Sequence, residues 1–291
     1  MVRQGYLTML IACGVLLAGC DGQSDAGRFP GTVEVSRSPM PEGLIGSWTI
    51  IDLDDPGGGR ILRLAHNELY LVGSDCDTLG GSWRADTDGV FLADVYVATA
   101  AAVEGLPGCE LASQVTPEWL RRVTAYRFDY RGLPVLLDEL DRPVARLVPG
   151  ATPTAGPDML ASVLDPPVVT DEARRAFAPA AALPATLVPA DPRGLVGRWA
   201  PAEGHRTAYA EFTADGEWRG SDGCNEESGR WIVAAGGTLL TTGRMVTAMF
   251  CADGVSVGHW LWTARRAGFD GDVLVLLDAE GKETGRLRNA G

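Results

Sequence analysis

The chain writes one phrase twice. Residues 73–83 read GSDCDTLGGSW and residues 220–231 read GSDGCNEESGRW, each with a tryptophan seven residues beyond its cysteine. The likeness continues on both sides of the phrase. Leu44-Ile45-Gly46-Ser47-Trp48 matches Leu195-Val196-Gly197-Arg198-Trp199, and Trp119-Leu120 matches Trp260-Leu261. VLLDELDRPVARL at 135–147 matches VLLDAEGKETGRL at 275–287. Order and spacing hold throughout. Two repeats are too few for a stacked solenoid, and 291 residues is a length for about two domains. The chain is therefore expected to form two tandem globular domains, 43–149 and 194–291. Between them 150–193 is dominated by Pro and Ala, a composition expected of a semi-extended spacer. Within it TDEARRAFA suits a short helix, with Thr170 as cap and Asp171 and Glu172 in the first turn.

Each copy carries short strand patterns separated by turn signals. In the second, TAYAEFT and EWRGS flank Asp215-Gly216, a tight-turn pair. RWIVAA and TLLTT follow, then VGHWLWTARRA at helical length, then a closing hairpin across Ala279–Glu283. In the first copy the helix is marked by Thr116 as cap, Pro117 and Glu118, with Trp119, Val123 and Tyr126 on one face. Many short strands and one helix per copy predict a mainly β fold: two small antiparallel barrels or strongly curved sheets.

These features resemble the META domain found in HslJ-type bacterial envelope proteins. The residues that carry the resemblance are Gly-x-Trp at the start, Gly223-Cys224-Asn225, then Thr247, Met249 and Cys251, a helix, and a Leu-rich final hairpin. The second copy fits over nearly its whole length. The first departs from it: no Gly precedes Cys76, Asp77 replaces the Asn, and an inserted AVEGLPG separates Thr99 from Cys109. The resemblance implies a compact β-rich domain with a packed helix. It implies no reaction, because the family has no established catalytic residues, only links to envelope stress and antibiotic tolerance.

The N-terminus reads as an address. Arg3 precedes an apolar stretch from Tyr6 to Gly19, too short for a bilayer span of about 20 residues and laid out as a secretory signal, residues 1–19. Leu17-Ala18-Gly19-Cys20 resembles the lipobox of bacterial lipoproteins. That implies a diacylglyceryl group on the Cys20 thiol, since a thiolate is the nucleophile that accepts the lipid. Two acyl chains anchor stably where one does not. The expected location is the outer face of the bacterial cytoplasmic membrane, with 20–42 as tether.

Four cysteines remain after Cys13 and Cys20: Cys76, Cys109, Cys224 and Cys251. An even number in an exported chain points to disulfides. Spacing alone leaves three pairings open, and one bridge per copy selects Cys76–Cys109 and Cys224–Cys251. Each would stabilise its domain by about 3.5–4 kcal/mol in the chain-entropy account.

The net charge of −13 excludes a nucleic-acid binder, which needs clustered positive charge. No metal or cofactor is expected, for Cys-x-x-Cys is absent and His66, His205 and His259 are scattered. Gly254-Val255-Ser256-Val257-Gly258 spells a hydrolase elbow, but at the start of a helix Ser256 is expected to be an N-cap. The pairs Asp54-Asp55 and Glu226-Glu227 read as solvated loop charges, and Arg121-Arg122 and Arg265-Arg266 as solvated helix faces. Trp48, Trp83, Trp199 and Trp231 are core candidates. An exposed Trp218 or Trp262 would mark a contact surface. The expectation is a monomeric, non-enzymatic envelope module that binds a protein partner. The alternatives are a lipocalin-like carrier, which would need a large apolar cavity, and an inhibitor of a secreted hydrolase.

Overall fold

The structure, a computed structural model, describes residues 40–52, 60–72, 78–98, 116–153, 161–203, 207–245 and 255–291. Residues 34–291 make one compact unit.

Two antiparallel sheets dominate it. The first holds β1 (Gly46–Asp52), β2 (Ile61–Ala65), β3 (Glu68–Val72), β4 (Thr78–Ala85), β5 (Phe91–Ala98), β6 (Ala125–Phe128), β7 (Pro134–Leu137) and β8 (Pro143–Pro149). Their order is β5-β4-β3-β2-β1-β8-β7-β6. The two edges then meet: Phe91 N–H donates to Thr124 C=O at 2.9 Å and Tyr126 N–H to Gly89 C=O at 2.8 Å. Closure at that corner makes a barrel of the sheet. Helix α1 (Glu118–Arg121) precedes β6.

Three short elements follow: α2 (Ala161–Leu164), α3 (Asp171–Ala176) and β9 (Val188–Pro189). The one-turn helix α4 (Pro192–Leu195) then opens the second barrel, built from β10 (Gly197–Pro201), β11 (Tyr209–Phe212), β12 (Glu217–Ser221), β13 (Glu226–Ala234) and β14 (Thr238–Thr241). A two-residue β15 (Arg244–Met245), α5 (Val257–Thr263), β16 (Arg266–Asp270), β17 (Val273–Leu277) and β18 (Glu283–Asn289) complete it. The order is β12-β11-β10-β18-β17-β16-β14-β13, and β13 returns to β12, so this sheet also closes.

Position for position the two strand orders are the same, with β10 standing where β1 stands and β18 where β8 stands. Side chains repeat the correspondence. The Trp48 indole donates to Leu44 C=O and the Trp199 indole to Leu195 C=O, both at 2.8 Å. Each leucine sits fully buried on a one-turn helix at the barrel end. Trp83 donates to Ala65 C=O and Trp231 to the Thr213 and Glu217 carbonyls, at the matching β-turn. Gly81 and Gly229 occupy one position in the two barrels, and an added Cβ would overlap the carbonyl oxygens of Asp94 and Thr242. Neither strand tolerates a side chain there.

Alternation along the strands fills each interior. Leu62, Leu64, Trp83, Phe91 and Tyr126 pack the first core, and Trp199, Phe212, Trp218, Trp231 and Leu274 the second. Trp218 is thus core, 3% exposed, and its indole holds Thr242 C=O. Trp262 is half-buried under the Arg84 guanidinium, 4.3 Å from its ring. Neither tryptophan is an exposed contact marker.

The described part of the segment expected to be a spacer is laid against both barrels. Thr170 caps α3 as expected, its hydroxyl accepting from Ala173 N–H at 3.1 Å. Ala173 and Phe177 are then buried in the first core, with the Phe177 ring 5.4 Å from that of Trp83. Further on, Leu183 and Leu187 pack on Val273, Val275 and Leu277, and β9 pairs with β16. We call 170–190 the strap. The Pro/Ala composition limits its hydrogen bonding but not its packing, because Leu and Phe recur at the points where it meets the barrels.

Two helix expectations change. Thr116 does not cap α1. Its hydroxyl accepts from Val95 N–H at 2.9 Å and meets Asp94 Oδ1 at 3.2 Å, tying the helix start to β5. Tyr126 is buried, but on β6 rather than on a helix face.

Candidate functional site

The repeated phrase forms a hairpin turn in the second barrel. Between β12 and β13 the Asp222 carboxylate accepts from Cys224 N–H at 2.8 Å and from the backbone and side chain of Asn225. Burial pushes this carboxyl up, but those hydrogen bonds outweigh it and hold the group below the usual carboxylate range. Gly223 takes φ +96°, and an added Cβ would stand 2.8 Å from Thr207 Oγ1. Turn chemistry therefore accounts for Gly and Asp in this copy. Residues 73–77 of the other copy lie outside the described residues.

Cys224 is disulfide-bonded. Cys20, Cys76, Cys109 and Cys251 all lie outside the described residues, as do Thr99, Thr247 and Met249.

Ser256 precedes α5, but its side chain makes no capping hydrogen bond. Glu227 takes that role. Its carboxylate accepts from Gly258 N–H and presses so close that a Cβ on Gly258 would overlap it. Glu227 is 9% exposed rather than a solvated loop charge. Burial, with a smaller push from Asp222, raises its pKa against the pull of the Gly258 N–H. Ser256, His259 and Glu227 share a pocket of about 300 Å³ with Trp218, Arg244 and Trp262. They do not form a nucleophile–base–carboxylate chain: Glu227 is turned to Gly258, and His259 Nε2 lies 3.5 Å from Thr263 Oγ1, one turn along. Among the described residues no group of three or more His, Cys, Asp or Glu could hold a metal.

The larger feature lies between the barrels. Strands β4 and β5 pack on β13 and β14, and corresponding residues meet at the contact. Leu92 packs with Leu240, and Thr242 Oγ1 lies 3.3 Å from Asp94 Oδ2. The buried Arg230 guanidinium crosses from one barrel to the other, donating to Ala93 C=O at 2.7 Å and Arg121 C=O at 2.9 Å. Asp94 is buried beside it and its pKa is raised by that burial, against the favourable charges of Arg244 and Arg230. Arg266 pairs with Asp88 at 3.2 Å. To one side of this seam a cleft of about 520 Å³ is walled by Trp231, Val233 and Ala214 from the second barrel and by Leu92, Arg121 and Thr124 from the first.

Comparison with known families bears on the second barrel. Residues 196–291 match the META domain. They are a META domain. No curated protein and no solved structure matches the chain. The META match begins at the Gly-x-Trp opening and runs to the final residue, so it covers Trp199, the Asp222 turn, α5 and the closing hairpin, and Ala214, Trp231 and Val233 of the cleft.

Sequence reasoning placed Trp83, Trp199 and Trp231 correctly in cores, but missed Glu227, Arg230 and Asp94. Arg121 was read as solvated. Its carbonyl is bound by Arg230, and its guanidinium lies 3.6 Å from Glu217. Arg265 is likewise not a free helix charge: it follows α5, is half-buried, and donates to Ala176 C=O of the strap at 2.9 Å. The one available signal was the glycine pair Gly81 and Gly229. A glycine held at one place in both barrels marks a close backbone approach.

Proposed function

We propose that this chain is a non-enzymatic lipoprotein of the bacterial envelope that binds a protein partner and supports stress tolerance. The META domain at 196–291 supports the family part of that reading. The matching strand order, matching indole bonds and matching glycines support the first barrel as a divergent second copy. Cys20 is the proposed lipid anchor, and Cys76–Cys109 and Cys224–Cys251 the proposed bridges.

The observation that carries the binding role is a contrast. The barrel interiors are packed with Trp, Phe, Tyr and Leu, while the cleft between the barrels stands open. A carrier needs internal space, as lipocalin barrels provide, so the packed interiors work against the carrier reading. A rigid body with an external cleft suits recognition of another macromolecule.

The test is chemical cross-linking on intact cells, with the Cys20→Ala chain as a mislocalised control. A specific partner enriched only with the anchored chain is expected. Absence of any partner across growth and envelope-stress conditions, with a lipid or small molecule co-purifying instead, would replace this reading with the carrier.

A further inference from the structure

Corresponding residues of the two barrels meet at their contact, which therefore has two corresponding flanks. By strand order and register Trp83 corresponds to Trp231, Ala85 to Val233, and Leu240 to Leu92. His66 and Ala214 hold matching positions in the β2–β3 and β11–β12 turns.

One flank is filled. At the Trp83 end the Phe177 ring of the strap packs against the Trp83 ring and meets His66 edge-on, with ring centres 5.9 Å apart. Ala176 and Ala178 fit between Ala85 on the first barrel and Leu240 and Arg265 on the second, leaving about 10 Å³ unfilled. The strap is held by its backbone as well: Arg265 donates to Ala176 C=O and Arg266 to Ala181 C=O. The other flank is the cleft of about 520 Å³ at Trp231. It has the same walls, with Val233 for Ala85 and Leu92 for Leu240. Arg121 and Arg122 line it from the opposite barrel, although by register the places of Arg265 and Arg266 are taken there by Thr124 and Ala125.

We propose that the open cleft receives a segment of a partner protein built like the strap: a short helix with an acidic start, alanines where the chain leaves the helix, and an aromatic side chain directed at Trp231. The molecule supplies the template for this contact. Thr170–Ala178 shows what such a segment looks like when seated, with its Phe177 ring against a tryptophan. An aromatic anchor in a pocket bounded by tryptophan is also the usual centre of an interface. The inference rests on the binding-module reading and on the first barrel as a second copy, and it names the site and the chemistry of the occupant.

The test uses a fluorescein-labelled peptide with the sequence of Thr170–Ala178, titrated into the full chain and read by anisotropy. Saturable binding is expected, weakened at least tenfold when the peptide carries Phe177→Ala. Ala214 is exposed on a turn, so Ala214→Trp fills the cleft without touching a core and should weaken binding at least tenfold. Ala214→Arg serves if the first variant changes the circular dichroism. Absence of saturable binding overturns the proposal. So does binding that survives both variants, since the peptide then sits elsewhere, for instance by displacing the strap. Binding seen only after removal of residues 21–39 would give the cleft to this chain's own tether and would equally overturn it. Each of these outcomes leaves the cellular cross-linking result untouched, so the cleft can fail while the binding-module reading stands.

Discussion

At the scale of single residues, the groups that matter most are charges taken out of water. Arg84 is 4% exposed, its Nε has no hydrogen-bond partner, and its guanidinium lies over the Trp262 ring. Removing a buried, poorly paired charge in favour of an apolar side chain is commonly neutral or stabilising. Arg84→Met is expected to raise stability by about 1 kcal/mol in urea denaturation, with an unchanged m-value. A loss of about 2 kcal/mol or more would show that Arg84 has a partner essential to the seam. Glu227 gives a pH prediction. Its folded pKa is raised above 4.5 by burial. The native state thus keeps the proton longer than the unfolded chain, and Glu227's favourable contribution is present at low pH and lost as pH rises through the folded value. Glu227→Gln keeps an acceptor for Gly258 N–H and removes the charge. Its stability should gain on the parent progressively as pH rises from about 4.5 to 7. His66 acts in the opposite sense, because burial lowers its pKa. The difference between variant and parent isolates Glu227, and a difference that is flat with pH would contradict the assignment.

At the scale of elements, the strands were readable in sequence and the strap was not. β11 and β12 follow from TAYAEFT, Asp215-Gly216 and EWRGS because alternation and turn chemistry are local. The helix cap at Thr170 was readable for the same reason. What Phe177 does depends on Trp83 and His66, about a hundred residues earlier, and no local pattern reports that. Glu227 was misread for the same cause: a Glu-Glu pair at the start of a strand is solvated unless a helix start arrives from elsewhere, as α5 does at β13. The strap's role is testable. Phe177→Ala should cost about 3 kcal/mol, the usual scale for truncating a buried phenylalanine. It should also make Thr170–Ala190 a site of rapid limited proteolysis. Cleavage no faster than in the parent would mean that Leu183, Leu187 and β9 hold the strap without the plug.

At the scale of the whole molecule, the repeat in the sequence foretold two barrels but not their union. The sequence treats the copies as beads on a spacer. The structure buries Leu92 against Leu240, threads Arg230 between Ala93 and Arg121, and binds the strap to both barrels. Those contacts join residues far apart in the chain and carry no periodic signature. The union is what gives the cleft two walls, so the proposed function depends on it. Calorimetric unfolding of the full chain tests it most directly. The account predicts one transition, with calorimetric and van't Hoff enthalpies in a ratio of about 1, moved as a whole by Arg230→Met. Two separated transitions, with Arg230→Met shifting only one of them, would show two independent barrels and contradict it.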